Sequence, residues 1–309
     1  MLYRVVAADA FSTQRQSLWD LCYRATGNAA DADMLLRDCF ARAVARPLVS
    51  RAADWRPHLM RSAAILAMEV LRHRKRRRYV GCWLPSPVET GNAASRSPSP
   101  VASLHGPRYD MVESGSMAFL RALEALDPRE RLIFIMSDAL GIEVQDAAAT
   151  LEITSLTARG ALQSARRKMQ GYDSDHAVPT AELQVHTADM LRHFLSSLQN
   201  RDPAGLEEVL APDVQSFFDC GGEFVAPLAP VSGAAKVTKL LLKFAEGTEP
   251  MRLGFRMLNG LPAALVMSPS RPRWARRFVV RIETRGDLVS EAQTIMASAK
   301  LTAVTFDPF

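Results

Sequence analysis

Tyr79-Val80-Gly81-Cys82-Trp83-Leu84-Pro85-Ser86-Pro87 is the stretch on which the reading of this chain turns. Each proline locks its own φ and restricts the residue before it, so Trp83 to Pro87 holds an extended shape and cannot continue a helix. On its N-terminal side is a basic run, Arg72-His73-Arg74-Lys75-Arg76-Arg77-Arg78, at the end of a helical pattern. On its C-terminal side, residues 88–116 are rich in Ser, Pro and Gly and read as a linker. The stretch is therefore a junction between parts of different kinds.

Charge separates those parts. The net charge of the 309-residue chain is +5. Residues 1–88 hold 15 Lys and Arg against 7 Asp and Glu, whereas 117–171 balance at 7 against 7 and 180–309 at 14 against 14. The positive excess belongs to the first segment, which points to a polyanionic partner there. Six of the seven residues from Arg72 to Arg78 are cationic with no acid between them. Phosphate contact relieves that self-repulsion and releases counterions.

Composition excludes several classes. No stretch approaches the ~20 apolar residues of a membrane span, and Met1 to Asp9 is a poor signal peptide. The expected location is cytoplasmic. The four cysteines, Cys22, Cys39, Cys82 and Cys220, form no close ligand pair and read as reduced thiols. No metal or cofactor is expected.

Residues 11–46 carry two helical patterns, the first stopped at Gly27-Asn28 and the second, capped by Asp31, ended by Pro47. A loop containing Trp55 leads to a third helix from about Pro57. Beyond the linker, Met117 to Leu126 is helical, and Asp127-Pro128 supplies an N-cap and an N1 proline for the next helix. Val144 to Leu151, a short turn, and Ser155 to Met169 then form a helix-turn-helix. Ala158, Leu162, Ala165 and Met169 give its second helix a buried face. Ser155, Arg159, Gln163, Arg166 and Arg167 are left outward, as in a helix that reads the major groove. From about residue 181 two helices are followed by strand-like segments at 214–218, 223–226, 252–258, 263–267, 276–283 and 288–296, with a helix from Gly233 to Phe244 among them. That order indicates α+β, a curved sheet wrapped round helices.

Together these residues resemble the extracytoplasmic-function sigma factors of bacterial RNA polymerase, in the group with a fused C-terminal SnoaL-like domain. Leu21 to Asp33 resembles the start of sigma region 2. Trp83-Leu84-Pro85-Ser86-Pro87 resembles the family's Trp-Leu-Pro-Glu-Pro motif with Ser86 in place of Glu. Ser116 to Leu120 and Leu126 to Arg131 resemble the opening of region 4. Asp219-Cys220-Gly221-Gly222-Glu223 is similar to Asp-Gly-Gly-Gly-Lys, Ala297 to Leu301 to Asn-Pro-Asp-Lys-Leu, and Asn259 to Ala263 to Asn-Gly-x-Pro-Ala. Met34-Leu35-Leu36-Arg37 stands where the family carries Asp-x-x-Gln, and Glu152 where it carries a turn glycine.

The resemblance implies a multidomain fold with two all-α helical domains. These are a region 2-like domain at 1–88 and, after a linker at 89–115, a region 4-like helix-turn-helix domain at 116–172. An α+β SnoaL-like cone follows at 180–309. It implies core RNA polymerase and promoter DNA as partners: region 2 for the −10 element, region 4 for the −35 element, and the last domain regulating both in cis. The implied DNA-binding set is Trp55, Arg72, Arg74, Lys75, Arg76, Arg77 and Arg78 with the outward residues of the last helical hairpin. Trp55 is equally readable as a stacking platform or as core. Asp33, Leu35, Leu36 and Arg37 are the polymerase-contact candidates. Trp83, Leu84, Pro85 and Pro87 are expected to meet Asp219, Cys220, Gly221, Gly222, Lys300 and Leu301.

Two other readings stay open: a sigma-derived regulator that binds DNA or polymerase without initiating, and a SnoaL-like enzyme with vestigial helical domains. For the enzyme, the candidate acids and bases are Asp219, Glu223, Glu283, His186 and His193, which would have to converge in an apolar cavity. A small ligand in the last domain is also left open. The chain is not expected to be an enzyme.

Overall fold

The computed structural model describes residues 2–45, 55–76, 79–90, 107–175, 178–269 and 271–306. It divides into two compact units: one from residues 1–78 and 92–176, the other from 79–91 and 177–309.

The first unit is helical. Helices α1 (Leu2–Thr26), α2 (Ala29–Ala45) and α3 (Trp55–Arg76) pack on one another through Leu18, Leu21, Cys22, Leu35, Leu36, Cys39, Leu59 and Ala63, all buried. Gly27 takes a left-handed φ of 63° and stops α1. Asn28, not Asp31, caps α2, accepting from the Ala30 and Asp31 amides at 3.0 and 3.3 Å. Burial pushes the Cys39 thiol up to about 12 and, with Cys39 adding to it, shifts Cys22 in the same direction; both are inert.

Helix α4 (Met117–Ala122) runs through a tight turn at Leu123–Ala125 into Asp127, whose carboxylate caps α5 (Pro128–Phe134) in a reciprocal box with Glu130. A wider turn at Ile135–Ala139 extends α5. Then come α6 (Val144–Thr150), α7 (Ser155–Lys168) and α8 (Gln170–Asp175). Thr154 caps α7 by accepting from the Thr157 amide. Ala158, Leu162, Ala165 and Met169 are buried, as the 4-3-4 spacing requires. Glu152 occupies the turn with φ 54°, the left-handed region usually left to glycine, and its carboxylate pairs with Arg61.

The second unit is α+β. Helices α9 (Ala181–Gln199) and α10 (Pro203–Val209) lead into β1 (Leu210–Asp219); β2 (Val231–Ser232) and α11 (Ala234–Thr248) follow. Strands β3 (Arg252–Leu258), β4 (Leu261–Met267), β5 (Arg277–Arg285) and β6 (Leu288–Ile295) complete a sheet in the order β2-β1-β6-β5-β4-β3. Only the β1–β6 pair is parallel. One sheet face, with Val214, Phe218, Val266, Phe278, Val280, Ile282 and Ala292, packs on Leu191, Phe194, Leu206, Val237 and Leu241 of the helices.

Two expectations differ from what the chain does. Residues 223–226 form no strand, because Gly221 and Gly222 both take positive φ and the Glu223 amide closes a turn onto Cys220 at 2.9 Å. The second helical domain does not stand apart from the first: Arg131 of α5 is buried and donates to Ala25 O at 3.0 Å, and Arg24 of α1 donates to Ser114 at 3.0 Å.

Candidate nucleic-acid interface and docking segment

On α7 two stripes lie opposite each other. The buried one is Ala158, Leu162, Ala165 and Met169; the outward one is Leu156, Gly160, Gln163 and Arg167, with Arg159 beside it. Ser155, Arg159, Gln163 and Arg167 are exposed. Arg166, exposed as well, is also engaged within the chain. Its guanidinium makes two bonds, at 2.8 and 2.7 Å, to the buried carboxylate of Asp138, which raises its pKa. That pair braces α7 against the end of α5, because a buried carboxylate is costly unless paired.

In the basic run Arg72 is exposed. Arg74 donates to Thr26 O at 2.5 Å and to both oxygens of Glu124 at 2.6 and 2.9 Å, so the helical core already engages it. The side chains of Lys75 and Arg76, and Arg77 and Arg78 altogether, lie outside the described residues. Trp55 opens α3 and is 1% exposed; its ring is part of the core and offers no face for a base. Leu35 and Leu36 are likewise core residues of α2, unable to touch a partner, because the helical period turns both toward α1 and α3. Arg37 is exposed, and Asp33 accepts from the Trp19 indole at 2.8 Å.

The segment 79–90 lies along the α+β unit. At one end Asp219, the last residue of β1, is fully buried. Its carboxylate accepts from the Leu84 amide at 2.7 Å, from the Tyr79 hydroxyl and from the Lys300 ammonium. Lys300 also donates to Leu84 O, and its charge sits 4.7 Å from the Tyr79 ring centre and 4.5 Å from that of Trp83. Burial, and then the Asp219 carboxylate, push the Tyr79 phenol upward, so it remains a donor. The carbonyl of Asp219 accepts from the Met296 and Ala297 amides, joining the ends of β1 and β6 at this corner.

Leu84, Pro85, Ser86 and Pro87 are buried, while Trp83 is half-buried. Gly81 is held at φ 91°, beside the buried Cys220 sulfur, and a Cβ on Gly222 would stand 3.3 Å from Val80. Among the described contacts none joins Leu301 to the segment; its amide bonds Ser298 O. At the other end Asn259 exchanges two bonds with Val88, both 2.9 Å, and Thr90 bonds Met257 O and the Gly260 amide. Tyr79 and Asn259 were absent from the expected contact set. The Asn259-Gly260 turn was a signal for the second; for Tyr79 only its place before the glycine was visible.

The candidate acids and bases do not converge. Asp219 is consumed as described. The Glu223 carboxylate caps the Ser298 amide, Glu283 lies beside Arg281, His186 bonds Gly286 O, and His193 is exposed. The cavity inside the sheet is lined by Phe194, Leu198, Leu241, Phe244, Met251 and Phe278 among other apolar groups, with Gln199 and Thr294 as its polar ones and no acid or histidine. Among the described residues no His, Cys, Asp or Glu cluster suits a metal, and no helix is long and apolar enough to cross a membrane.

A helix-turn-helix on a helical unit, with an α+β unit that holds an extended proline segment, is the architecture of a modular protein with a fused accessory unit. Comparison with known proteins narrows this. Residues 116–169 match the family model Sigma-70, region 4. The chain is 26% identical to the ECF RNA polymerase sigma factor SigJ of Mycobacterium tuberculosis over 250 residues, 80% of this chain and 76% of that protein. It is 27% identical to the probable ECF RNA polymerase sigma factor SigI of the same organism over 238 residues, 76% of this chain and 75% of the relative. The crystal structure of SigJ superposes with a TM-score of 0.68 at 21% identity, covering 97% of this chain and all of that one. Along most of its length the chain is thus similar to extracytoplasmic-function sigma factors of RNA polymerase, it carries a match to sigma-70 region 4 at residues 116–169, and it shares the fold of SigJ.

Proposed function

We propose that the chain carries core RNA polymerase to promoter DNA in the cytoplasm, and that its α+β unit regulates this in cis by holding the segment 79–90. The helical parts divide the work, 1–76 facing the polymerase and the −10 element and 116–172 the −35 element. In the first of these Arg37, Arg72 and the basic run remain as contact candidates; in the second, Arg159, Gln163 and Arg167. One observation carries the regulatory reading: the buried Asp219–Lys300 pair is completed by the backbone of Leu84, a few residues after the basic run. Whatever loosens that corner releases the chain that follows the basic run.

The test is transcription in vitro with core RNA polymerase, comparing the full chain with a form ending at Asp175. Tyr172 and Asp173 belong to the helical unit, through the Phe119 ring and the Tyr109 hydroxyl, and must be kept. A changed transcript yield or promoter choice in the shortened form is expected. Equal output from both forms would remove regulation in cis, and no polymerase binding by either would remove initiation.

A small apolar ligand in the α+β unit is a second reading, supported by the aromatic lining of its cavity. Leu241→Trp, which fills that space, is expected to abolish binding of an anilinonaphthalene sulfonate probe by the full chain. Unchanged fluorescence would remove the reading.

A further inference from the structure

Leu156 stands in the first turn of α7 and is 82% exposed, more than any other large apolar side chain among the described residues. It is not a stray surface leucine by position. Leu156, Gly160, Gln163 and Arg167 repeat the 4-3-4 spacing of the buried stripe on the opposite side, so Leu156 lies on the line directed most squarely away from the core. Its neighbours on that face are long, polar or cationic. The second oddity is Gly160. It sits mid-helix with nothing within 4 Å of where a Cβ would be, so no internal contact demands glycine. Only proline is a poorer helix former. Within the chain the face thus has a solvated leucine and a needless glycine one turn apart.

Both are accounted for by a close neighbour. In a major groove the N-terminal residues of such a helix meet base edges, and the one apolar feature there is the C5 methyl of thymine. We propose that Leu156 reads a thymine methyl group in the promoter element bound by α7, and that Gly160 is the notch that lets the helix come close enough for it to do so. This rests on α7 being the major-groove helix. Arg159, Gln163 and Arg167 supply phosphate and base hydrogen bonds on the same face; Leu156 adds an apolar contact that uracil, with the same acceptors as thymine but no methyl, would lose.

The experiment uses the full chain bound to bacterial core RNA polymerase and a DNA duplex selected by it from a randomised pool. Each thymine of the selected duplex is replaced singly by uracil, which removes one methyl and nothing else. At one position the affinity is expected to fall about fourfold, the worth of burying one methyl group, and Leu156→Ala is expected to erase that difference. Gly160→Ala is expected to raise the melting temperature of the protein by about 2–4 °C while weakening its binding to the duplex. If no uracil substitution matters, or Leu156→Ala keeps the difference, or Gly160→Ala binds as tightly as the parent, the proposal is overturned. The combined variant Arg159→Ala, Gln163→Ala, Arg167→Ala separates the two levels. Weakened binding there leaves α7 as the DNA helix whatever Leu156 does. Unchanged binding, or no duplex selected at all, overturns the underlying reading and the proposal with it.

Discussion

The backbone amide of Leu84 donates to the Asp219 carboxylate at 2.7 Å, across 135 residues of chain. The same carboxylate holds Lys300, and Lys300 returns to the carbonyl of Leu84. Three segments distant in sequence therefore share one buried ion pair. Ser86 and Glu223, the positions at which the family motifs carry Glu and Lys, take no part in that pair: Ser86 is buried and Glu223 caps Ser298.

Asp219→Ala leaves the Lys300 charge buried without its counter-ion. Breaking such a pair on one side costs about 3–5 kcal/mol. Denaturant unfolding of the α+β unit is expected to show a loss of that order, and hydrogen exchange at the Leu84 amide is expected to accelerate. The double change Asp219→Leu with Lys300→Met is expected to cost less than either single change, because it strands no charge. A mild single variant, or strictly additive ones, would count against the shared corner.

Arg131 is 3% exposed and bonds Ala25 O at 3.0 Å, Leu123 O at 2.6 Å and the Glu124 carboxylate at 2.8 Å. Hydrogen bonds to charged groups contribute about 1.5–3 kcal/mol. Arg131→Ala is expected to destabilise the helical unit by about 2–3 kcal/mol. Glu124→Ala is expected to cost less, because Glu124 is partly solvated and the two carbonyls remain for Arg131. Thermal melts of the two variants check the order.

Burial alone would raise the Glu130 carboxyl, but hydrogen bonds from Lys168, Ser164 and the Asp127 amide outweigh it and hold the group below its ordinary value. A carboxylate depressed by folding adds stability above its unfolded pKa and loses it as pH falls through the folded one. The stability difference between the parent and Glu130→Gln is therefore expected to be constant from pH 7 to 5. It then narrows below about pH 4.3, where a free glutamate begins to protonate. Melting curves across that range would reveal a flat difference if the caps contribute nothing.

Thr238 and Ser216 are buried in the α+β unit, and their hydroxyls find no hydrogen-bond partner among the described residues. Such groups cost about 1–3 kcal/mol. Thr238→Val keeps the shape and removes the hydroxyl, so a gain of about 1 kcal/mol is expected in urea unfolding. Destabilisation would mean that the hydroxyl has a partner.

Local periodicity made the helical parts legible. The face of α7 followed from Ala158, Leu162, Ala165 and Met169, and the start of α5 from Asp127-Pro128, because both depend on residues within one or two turns. The engagement of Arg166 is not legible, for the opposite reason. Its spacing puts it at the margin of the outward face, and only the position of Asp138, brought in by packing of α5 on α7, turns it into a brace. Leu35 and Leu36 fall at a family motif position, but their own periodicity points inward.

By itself the chain determined its helices, the separation of its basic first segment from two balanced ones, and the rigid extended form of Trp83 to Pro87. These follow from backbone sterics and side-chain period, which act over a few residues. Tertiary structure decided which unit that segment joins. Residues 79–90 follow α3 directly in sequence yet belong to the α+β unit, because the buried carboxylate of Asp219, the ammonium of Lys300 and the amide of Asn259 need the polar groups that this backbone supplies.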